Sequence, residues 1–181
     1  MDNLQTKPLK LSYELSWRAK DDERFSRSVE WKNIRSRILT RDGYTCRYCG
    51  FKAEKGMQVN HIDGNPKNHD DANLEVVCPS CHMIMHSGLW AAVRGVILIF
   101  RKSKYTQNEI IRITREMRAT GKNDVEIIAY LGLEEQVPWK ENLNYLSGLF
   151  GFISSRLYTP TSKPLLSEEE QRDRLHNRSR W

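Results

Sequence analysis

Residues 46–50 read CRYCG, residues 57–65 read MQVNHIDGN, and residues 73–86 read NLEVVCPSCHMIMH. All four cysteines of the chain lie in these segments, in two pairs whose members are separated by two residues. A thiolate pair with this spacing can hold one tetrahedral ion from a tight turn, and two such turns complete a four-sulfur site. The sequence therefore predicts a structural zinc ion held by Cys46, Cys49, Cys78 and Cys81.

The use of cysteine also bears on the compartment. The N-terminal stretch MDNLQTKPLK has no apolar core of the kind that marks a secretory signal. Without such a signal, paired cysteines indicate zinc binding rather than disulfides, and the alternative is one or two pairs of thiols without a metal. The longest apolar run, at residues 96–100, is too short to span a bilayer. We therefore expect a cytoplasmic protein that has no membrane partner.

The overall charge favours a polyanionic partner but does not prove one. The chain has 181 residues, of which 39% are apolar and 29% charged, as in soluble globular proteins. Its formal net charge is +6. A positive excess of this size suits binding to nucleic acid, although many basic proteins bind none.

The first half of the chain predicts a flexible arm followed by a helix. Residues 1–26 are polar and show no clear period, so we expect a loosely held N-terminal arm. Residues 28–40 place Trp31, Ile34 and Ile38 at the three- and four-residue spacing of an amphipathic helix. The basic residues around this helix form either a solvated face or a phosphate-binding surface.

The segments around the cysteine pairs predict a small α+β unit. Short strands are expected within residues 44–60 and at residues 74–77, and the polar residues 62–72 are expected to form a loop. A helix is expected over residues 79–88, which begin directly after Cys78. These elements define a predicted domain at residues 27–90.

The C-terminal half predicts a mainly helical module at residues 91–157. Residues 96–100 suit a strand by their length, and residues 106–109 and 123–126 are capping-box patterns that begin two helices. Pro138 suits the first position of a third helix. Its apolar face would contain Leu143, Leu146, Phe150 and Ile153. We expect this module to serve in helix-turn-helix-like DNA reading, in dimerisation, or as a scaffold, and residues 158–181 to be a disordered polar tail.

The polar residues between and after the cysteine pairs resemble the HNH endonuclease family, whose members are built on a ββα-metal fold. The resemblance covers about residues 28–88, with Asn60-His61, Asn73 and His82 in the order typical of that family. It implies that His61 is the general base that activates water, since an imidazole suits this task near neutral pH. Asn73 would orient His61, and His82 would complete the catalytic set.

The same resemblance implies a second metal ion, a catalytic divalent cation that stabilises the phosphate and the leaving oxygen. Its ligands would be Asn60, His82 and His86, where Asn60 departs from the aspartate or histidine usual in the family. The family generally works with Mg²⁺ or Mn²⁺. Imidazole-rich sites also suit Zn²⁺, Ni²⁺ or Co²⁺, so the identity of this ion stays open.

The function implied by the resemblance is hydrolysis of phosphodiester bonds in DNA, with double-stranded DNA as the expected partner. A homodimer would suit double-strand cutting, because each chain would carry one active site. Basic residues close to the predicted metal ligands are candidate phosphate contacts, or else a solubilising surface. They are Arg41, Arg47, Lys52 and Lys55.

Two alternatives from other classes remain open. The first is a non-catalytic, zinc-dependent nucleic-acid-binding protein, which explains the charge and the cysteines but not the positions of the histidines and Asn73. The second is a structural module whose C-terminal helices dock a larger partner. This second alternative is favoured if the C-terminal part carries most of the exposed apolar surface.

Overall fold

The chain is described from a computed structural model, which places residues 6–12 and 27–155. These residues fall into two compact units. The first unit contains residues 6–8 and 27–82, and the second contains residues 9–12 and 83–155. The predicted polar tail and most of the predicted N-terminal arm lie outside the described residues.

The first unit begins with helix α1, Val29–Arg41. The hydroxyl of Ser28 caps it by accepting a hydrogen bond of 3.0 Å from the backbone N–H of Trp31. Trp31, Ile34 and Ile38 are buried, so the helix and the face predicted from their spacing are both confirmed.

A two-stranded antiparallel hairpin follows, formed by β1, Gln58–His61, and β2, Leu74–Val77. Asn60 lies opposite Glu75, and His61 lies opposite Leu74. Paired residues share a face of a hairpin and neighbouring residues point to opposite faces, so Asn60 and His61 project to different sides. Short strands were also expected around the first cysteine pair. In their place the structure has one isolated β-bridge, between Thr45 and Lys52.

Helix α2, Pro79–Met85, begins directly after β2 and completes the order strand, strand, helix. A short 3₁₀ turn, Asp71–Asn73, precedes β2, and a π-helical segment, Gly88–Val93, follows α2. The mixed helix-and-strand class predicted from the sequence is therefore confirmed.

The second unit contains a three-stranded antiparallel sheet that packs against helices. Strand β3, Ile97–Lys102, lies in the centre, with β4, Glu134–Val137, and β5, Phe150–Ile153, on either side. Helix α3 spans Gln107–Ala119, α4 spans Asp124–Leu131, and α5 is a single turn, Leu143–Leu146. Both predicted capping boxes are present, at the starts of α3 and α4.

The prediction of a third helix that begins at Pro138 is wrong. Only Leu143–Leu146 are helical, and Phe150–Ile153 instead form β5, which pairs with β3 along its length. Phe152 is fully buried in the core between this sheet and α3 and α4. The spacing of the apolar residues is compatible with a helix, but Gly148 and Gly151 lower the helix propensity of this segment. The pairing of residues 150–153 with β3 therefore determines that they form a strand.

The described part of the predicted arm is anchored. In the first unit, the backbone N–H of Lys7 donates to the carbonyl of Arg47 at 3.0 Å. In the second unit, Leu9 and Leu11 are buried, and the backbone N–H of Ser12 donates to the hydroxyl of Ser87 at 2.8 Å. The expectation of a loosely held arm is therefore wrong for residues 6–12. Within the described ranges, no helix has the combination of length and apolar character needed to cross a membrane.

Asp124 makes the second unit sensitive to acid. Its carboxylate accepts hydrogen bonds from the Arg118 guanidinium at 2.7 Å and from the backbone N–H of Ser155 at 2.7 Å. Burial acts to raise the pKa of Asp124, but these hydrogen bonds outweigh it and hold the pKa below its usual value. A carboxyl with a lowered pKa stabilises the fold above its unfolded pKa, and this stabilisation is lost as the pH falls through the folded pKa.

We therefore expect Asp124→Asn to lower the free energy of unfolding by about 1 kcal/mol at neutral pH. The difference between wild type and variant should begin to shrink below about pH 4, where Asp124 of the unfolded chain becomes protonated, and it should be lost as the pH falls through the lower pKa of the folded state. Urea unfolding of both proteins across this pH range measures the effect. A difference that is independent of pH would contradict the assigned role of the ionised carboxylate.

Candidate functional site

The four cysteines converge in the first unit, as the sequence predicts. Their Sγ atoms all lie within 4.8 Å of one another, and those of Cys49 and Cys78 are 3.6 Å apart. A tetrahedral ion with Zn–S bonds of about 2.3 Å requires sulfurs about 3.8 Å apart. The arrangement is therefore close to that of four ligands of one metal ion such as zinc.

Local hydrogen bonds shape both cysteine turns. In the first turn, the backbone N–H of Cys46 donates to the carbonyl of Phe51 at 2.8 Å, and that of Gly50 donates to the carbonyl of Cys46 at 3.1 Å. Gly50 has φ of +70°, a left-handed conformation that favours glycine. In the second turn, the first turn of α2, the N–H of Cys81 points at the sulfur of Cys78 at 3.4 Å.

The electrostatics of the cluster call for a cation. Hydrogen bonds with Cys46 and Cys49, followed by burial, raise the pKa of the Cys78 thiol above its usual value. The pKa of Cys81 is raised by hydrogen bonds with the same two cysteines, then by Cys78 and by burial. Three of the four cysteines are buried and Cys49 is half-buried. Thiolates this close repel one another unless a metal ion neutralises them, and a bound ion deprotonates its thiol ligands outright. These cysteines are therefore placed to bind a metal.

His61, the predicted general base, ends β1 and is only 9% exposed. Its ring stacks on the indole of Trp31 from α1, with centroids 5.5 Å apart and planes inclined by 15°. The ring of His69 lies 5.6 Å from His61 and 5.7 Å from Trp31. The rings of Trp31, His61 and His69 therefore all contact one another. The position of His69 in this group was not predicted from the sequence.

Asn73 organises the loop that follows His61. Its side-chain oxygen accepts from the backbone N–H of Asp63 at 3.1 Å, and its side-chain nitrogen donates to the Asp63 carboxylate at 2.9 Å. Its carbonyl accepts from the N–H of Ile62 at 2.8 Å. Hydrogen bonds from Asn68 and Asn73 hold the pKa of Asp63 below its usual value. The predicted hydrogen bonding of Asn73 within the loop is therefore present, directly after His61.

Asn60 belongs to a different cluster, on the other face of the hairpin. It is buried, and its amide donates to Oε1 of Glu75 at 3.3 Å. Glu75 is only 2% exposed and also accepts from the Tyr48 hydroxyl at 2.7 Å and from the Lys7 ammonium at 2.7 Å. This cluster was not predicted from the sequence, although a single carboxylate inside the apolar strand LEVV indicates a side chain that needs hydrogen-bonding partners.

The two remaining predicted ligands lie in different units. Nδ1 of His82 in α2 is hydrogen-bonded to Oε1 of Gln58 at 2.7 Å, within the first unit. His86 follows the end of α2 and belongs to the second unit. The hydrogen bond of His82 uses Nδ1 and that of Asn60 uses the amide nitrogen, so the binding of a catalytic divalent ion by Asn60, His82 and His86 stays a prediction. Among the residues described, the four cysteines form the one group of three or more His, Cys, Asp or Glu side chains placed to share an ion.

The candidate phosphate contacts divide into two kinds. Arg41 binds the Asp42 carboxylate at 2.7 Å and the carbonyl of Leu74 at 2.7 Å, so its guanidinium holds the end of α1 to the hairpin. Arg47 is half-buried, and Lys52 and Lys55 are exposed. The structure therefore gives Arg41 a role in the fold and leaves the other three at the surface.

One curated relative shares sequence with about half of this chain. It is the Type 4 apparatus protein DotN of Legionella pneumophila subsp. pneumophila (strain Philadelphia 1), which is 36% identical over 85 residues. The matched region is 44% of this chain and 37% of DotN, so well under two thirds of that relative is covered.

The comparison with protein families agrees with the geometry of the first unit. The family model described as HNH endonuclease matches residues 46–88, which include both cysteine pairs, the hairpin and α2. This match indicates a nuclease or a nucleic-acid-related function, and it leaves catalysis by this chain open. Residues 46–88 therefore match the HNH endonuclease family model, and they contain the four cysteines positioned to bind a metal ion.

Proposed function

We propose that this chain is a zinc-stabilised, non-catalytic HNH module that serves as a component of a larger protein assembly. The metal ion on the four cysteines would be zinc, because a closed tetrahedral site of four thiolates is typical of structural zinc. Such an ion contributes to folding and leaves no open position for substrate.

The enclosure of His61 is the single observation that carries this proposal. A general base must come within about 3 Å of the water or group that it deprotonates. The His61 ring is nearly fully buried and stacked on Trp31, while Asn60 projects from the opposite face of the hairpin. The geometry therefore supports a packing role for this histidine better than a role in activating water.

Two further observations favour a component of an assembly. The relative DotN is named as an apparatus protein, and not as a nuclease. In addition, three of the five large apolar side chains that are exposed in the described residues lie in the second unit. These three are Val125, Tyr130 and Leu143. The larger share of exposed apolar side chains in the second unit is the feature that the docking alternative predicts.

The second candidate is the metal-dependent DNA endonuclease of the HNH family, and the hydrogen bonds of Asn73 directly after His61 favour it. In this candidate His61 would deprotonate water, and Asn73 would hold the loop that follows it. Arg47, Lys52 and Lys55 would contact phosphates of double-stranded DNA. A cytoplasmic location and a homodimer remain predictions for this candidate, as does a Mg²⁺ or Mn²⁺ cofactor.

A nicking assay on supercoiled plasmid separates the two candidates. The assay compares zinc-loaded wild-type protein with the His61→Ala variant in the presence of Mg²⁺, Mn²⁺, Ni²⁺ or Co²⁺. We expect both proteins to convert the same small amount of plasmid to the nicked form. Metal-dependent nicking by the wild type that falls by about 100-fold or more in His61→Ala would refute the non-catalytic proposal. His69→Ala is the matched control, because it removes the other histidine of the aromatic group without touching the predicted base.

Binding to DNA distinguishes the assembly component from a non-catalytic nucleic-acid-binding protein. We expect fluorescence anisotropy with a DNA duplex to report only weak binding near physiological salt. Tight binding with a steep salt dependence, lost in a combined Arg47, Lys52 and Lys55 alanine variant, would favour the nucleic-acid-binding alternative.

A further inference from the structure

We propose that the second unit contains a peptide-binding groove, formed by Ile84, Ser87, Asn108 and Gly151, which residues 9–12 of this chain occupy in place of a segment of a partner protein. The partner segment would be extended, with leucine-like side chains at two positions separated by one residue. This inference rests on the proposed role as a component of an assembly. It deepens that role by naming the kind of segment through which a partner docks.

Residues 9–12 belong to the second unit and bury alternate side chains in it. Leu9 and Leu11 are each 5% exposed, whereas Lys10 between them is exposed. This alternation is typical of an extended chain that has one face buried. Residues 9–12 are nevertheless part of no helix or strand. The segment therefore lies in the groove in the manner of a bound peptide.

Gly151 of β5 makes room for the side chain of Leu11. A Cβ atom added to Gly151 would lie 2.8 Å from Cδ2 of Leu11 and 2.9 Å from Cδ1 of Ile84, well inside the usual contact distance of two carbon atoms. The side-chain amide of Gln107 accepts from the N–H of Gly151 at 2.7 Å and donates to its carbonyl at 2.8 Å. This position on the edge of the sheet is therefore closed to a further strand, but it is open to an apolar side chain from above.

The polar groups of the groove bind the backbone of the segment. Oδ1 of Asn108 accepts from the N–H of Leu9 at 2.8 Å. The Ser87 hydroxyl accepts from the N–H of Ser12 at 2.8 Å and donates to the carbonyl of Ser12 at 2.8 Å. The hydroxyl of Ser12 is itself buried without a hydrogen-bond partner among the described residues. Contacts to the backbone give affinity for any extended chain, so selectivity comes from the two positions that leucine fills.

Residues 9–12 can be replaced without loss of the sheet. Their hydrogen bonds with Asn108 and Ser87 are separate from the ladders that join β3 to β4 and β5. Release of the segment is therefore a local opening that leaves the strands paired. Because the attached segment competes at an effective concentration on the order of millimolar, a partner segment displaces it by making contacts in addition to those of the two leucines.

The test uses the full chain carrying both Leu9→Asn and Leu11→Asn, which should release the attached segment, and a fluorescent peptide of residues 6–12 as the probe. Fluorescence anisotropy should report a dissociation constant of about 10–100 µM for this double variant. Binding to the wild type should be about 10-fold weaker or more, because its groove is occupied. A peptide with alanine at every position except Lys7, Leu9 and Leu11 should bind within about 3-fold of the first. A peptide with asparagine in place of both leucines should not bind.

Gly151→Ala, added to the double variant, should weaken binding of the peptide by about 10-fold or more, because the new methyl group takes the place of the leucine side chain. Gly148→Ala is the matched control. A Cβ atom at Gly148 would meet nothing within 4 Å, so this change should leave the dissociation constant unaltered. Equal effects of the two alanine substitutions would contradict the assigned groove.

Circular dichroism shows whether the double variant still melts cooperatively, and Leu11→Ala alone replaces it if it does not. Loss of cooperative melting in both would overturn the inference, because residues 9–12 would then be an integral part of the core. No binding below about 1 mM peptide, or equal binding of the asparagine peptide, would also overturn it. A wild-type dimer that the peptide dissociates, seen by size-exclusion chromatography with light scattering, would assign the groove to a second copy of this chain instead. No nucleic acid is present, so these results are distinct from the plasmid nicking that would refute the proposed function.

Discussion

Replacing Cys81 with serine is expected to unfold the first unit. Cys81 is fully buried, and its sulfur is one of four that converge within 4.8 Å. Structural zinc contributes about 10–16 kcal/mol to the folding of zinc-finger peptides, whereas whole domains are stable by only about 5–15 kcal/mol. Loss of one of four ligands therefore removes a large part of the stability of this unit.

The measurement combines metal content with unfolding. Mass spectrometry under native conditions should find one zinc ion per wild-type chain and none in Cys81→Ser. Thermal unfolding followed by circular dichroism should lose the transition that belongs to the first unit. Ser80→Ala serves as the control, because Ser80 lies between the same two cysteines and is only half-buried. A metal-free Cys81→Ser protein that still melts cooperatively would refute the structural role of the metal.

The first unit could be predicted well because its signals are local. The spacing of Trp31, Ile34 and Ile38 predicts α1, and the two cysteine pairs define the turns that flank the hairpin. A capping residue or a metal-binding turn acts within a few residues of chain, so its effect can be inferred without knowledge of distant partners.

The sheet of the second unit could not be predicted in the same way. Strand β4 reads EEQV and has three exposed residues, so it carries no apolar alternation that would indicate a strand. It exists because it pairs with β3, more than thirty residues earlier in the chain. The residues of β5 were predicted to be helical for a related reason. Their apolar positions suit the period of a helix as well as that of a strand, and only the pairing with β3 distinguishes the two.

The candidate site shows the same limit. The metal ligands and the hydrogen bonding of Asn73 follow from local motifs, and the structure has both. The contact of His61 with Trp31 and the pairing of Lys7 with Glu75 join residues that are 30 and 68 positions apart. The contact of His61 with Trp31 is the one that favours the proposed packing role of this histidine over the catalytic role expected from the sequence.

Removing Trp31 is expected to have the second large effect. Trp31 is buried between α1 and the hairpin, and truncation of a buried tryptophan to alanine typically costs about 3–5 kcal/mol. Urea unfolding of Trp31→Ala should report a loss of this size. Trp31→Phe should lose less, because a phenylalanine ring retains part of the stacking on His61. Val29→Ala, at a position of the same helix that is 71% exposed, should change stability by less than about 0.5 kcal/mol.

The Trp31 variants also test why His61 is inactive in the proposed function. Without the indole, the His61 ring should become accessible, and its modification by diethylpyrocarbonate should accelerate relative to the wild type. If enclosure by Trp31 were the sole obstacle to catalysis, Trp31→Ala would nick plasmid in the presence of a divalent ion. We expect no such gain, because the four cysteines are the one group of three or more His, Cys, Asp or Glu side chains in the described part of the chain that is placed to share an ion, and they do not include His61. A gain of nicking that disappears in the Trp31→Ala, His61→Ala double variant would instead identify a competent base held in reserve behind Trp31.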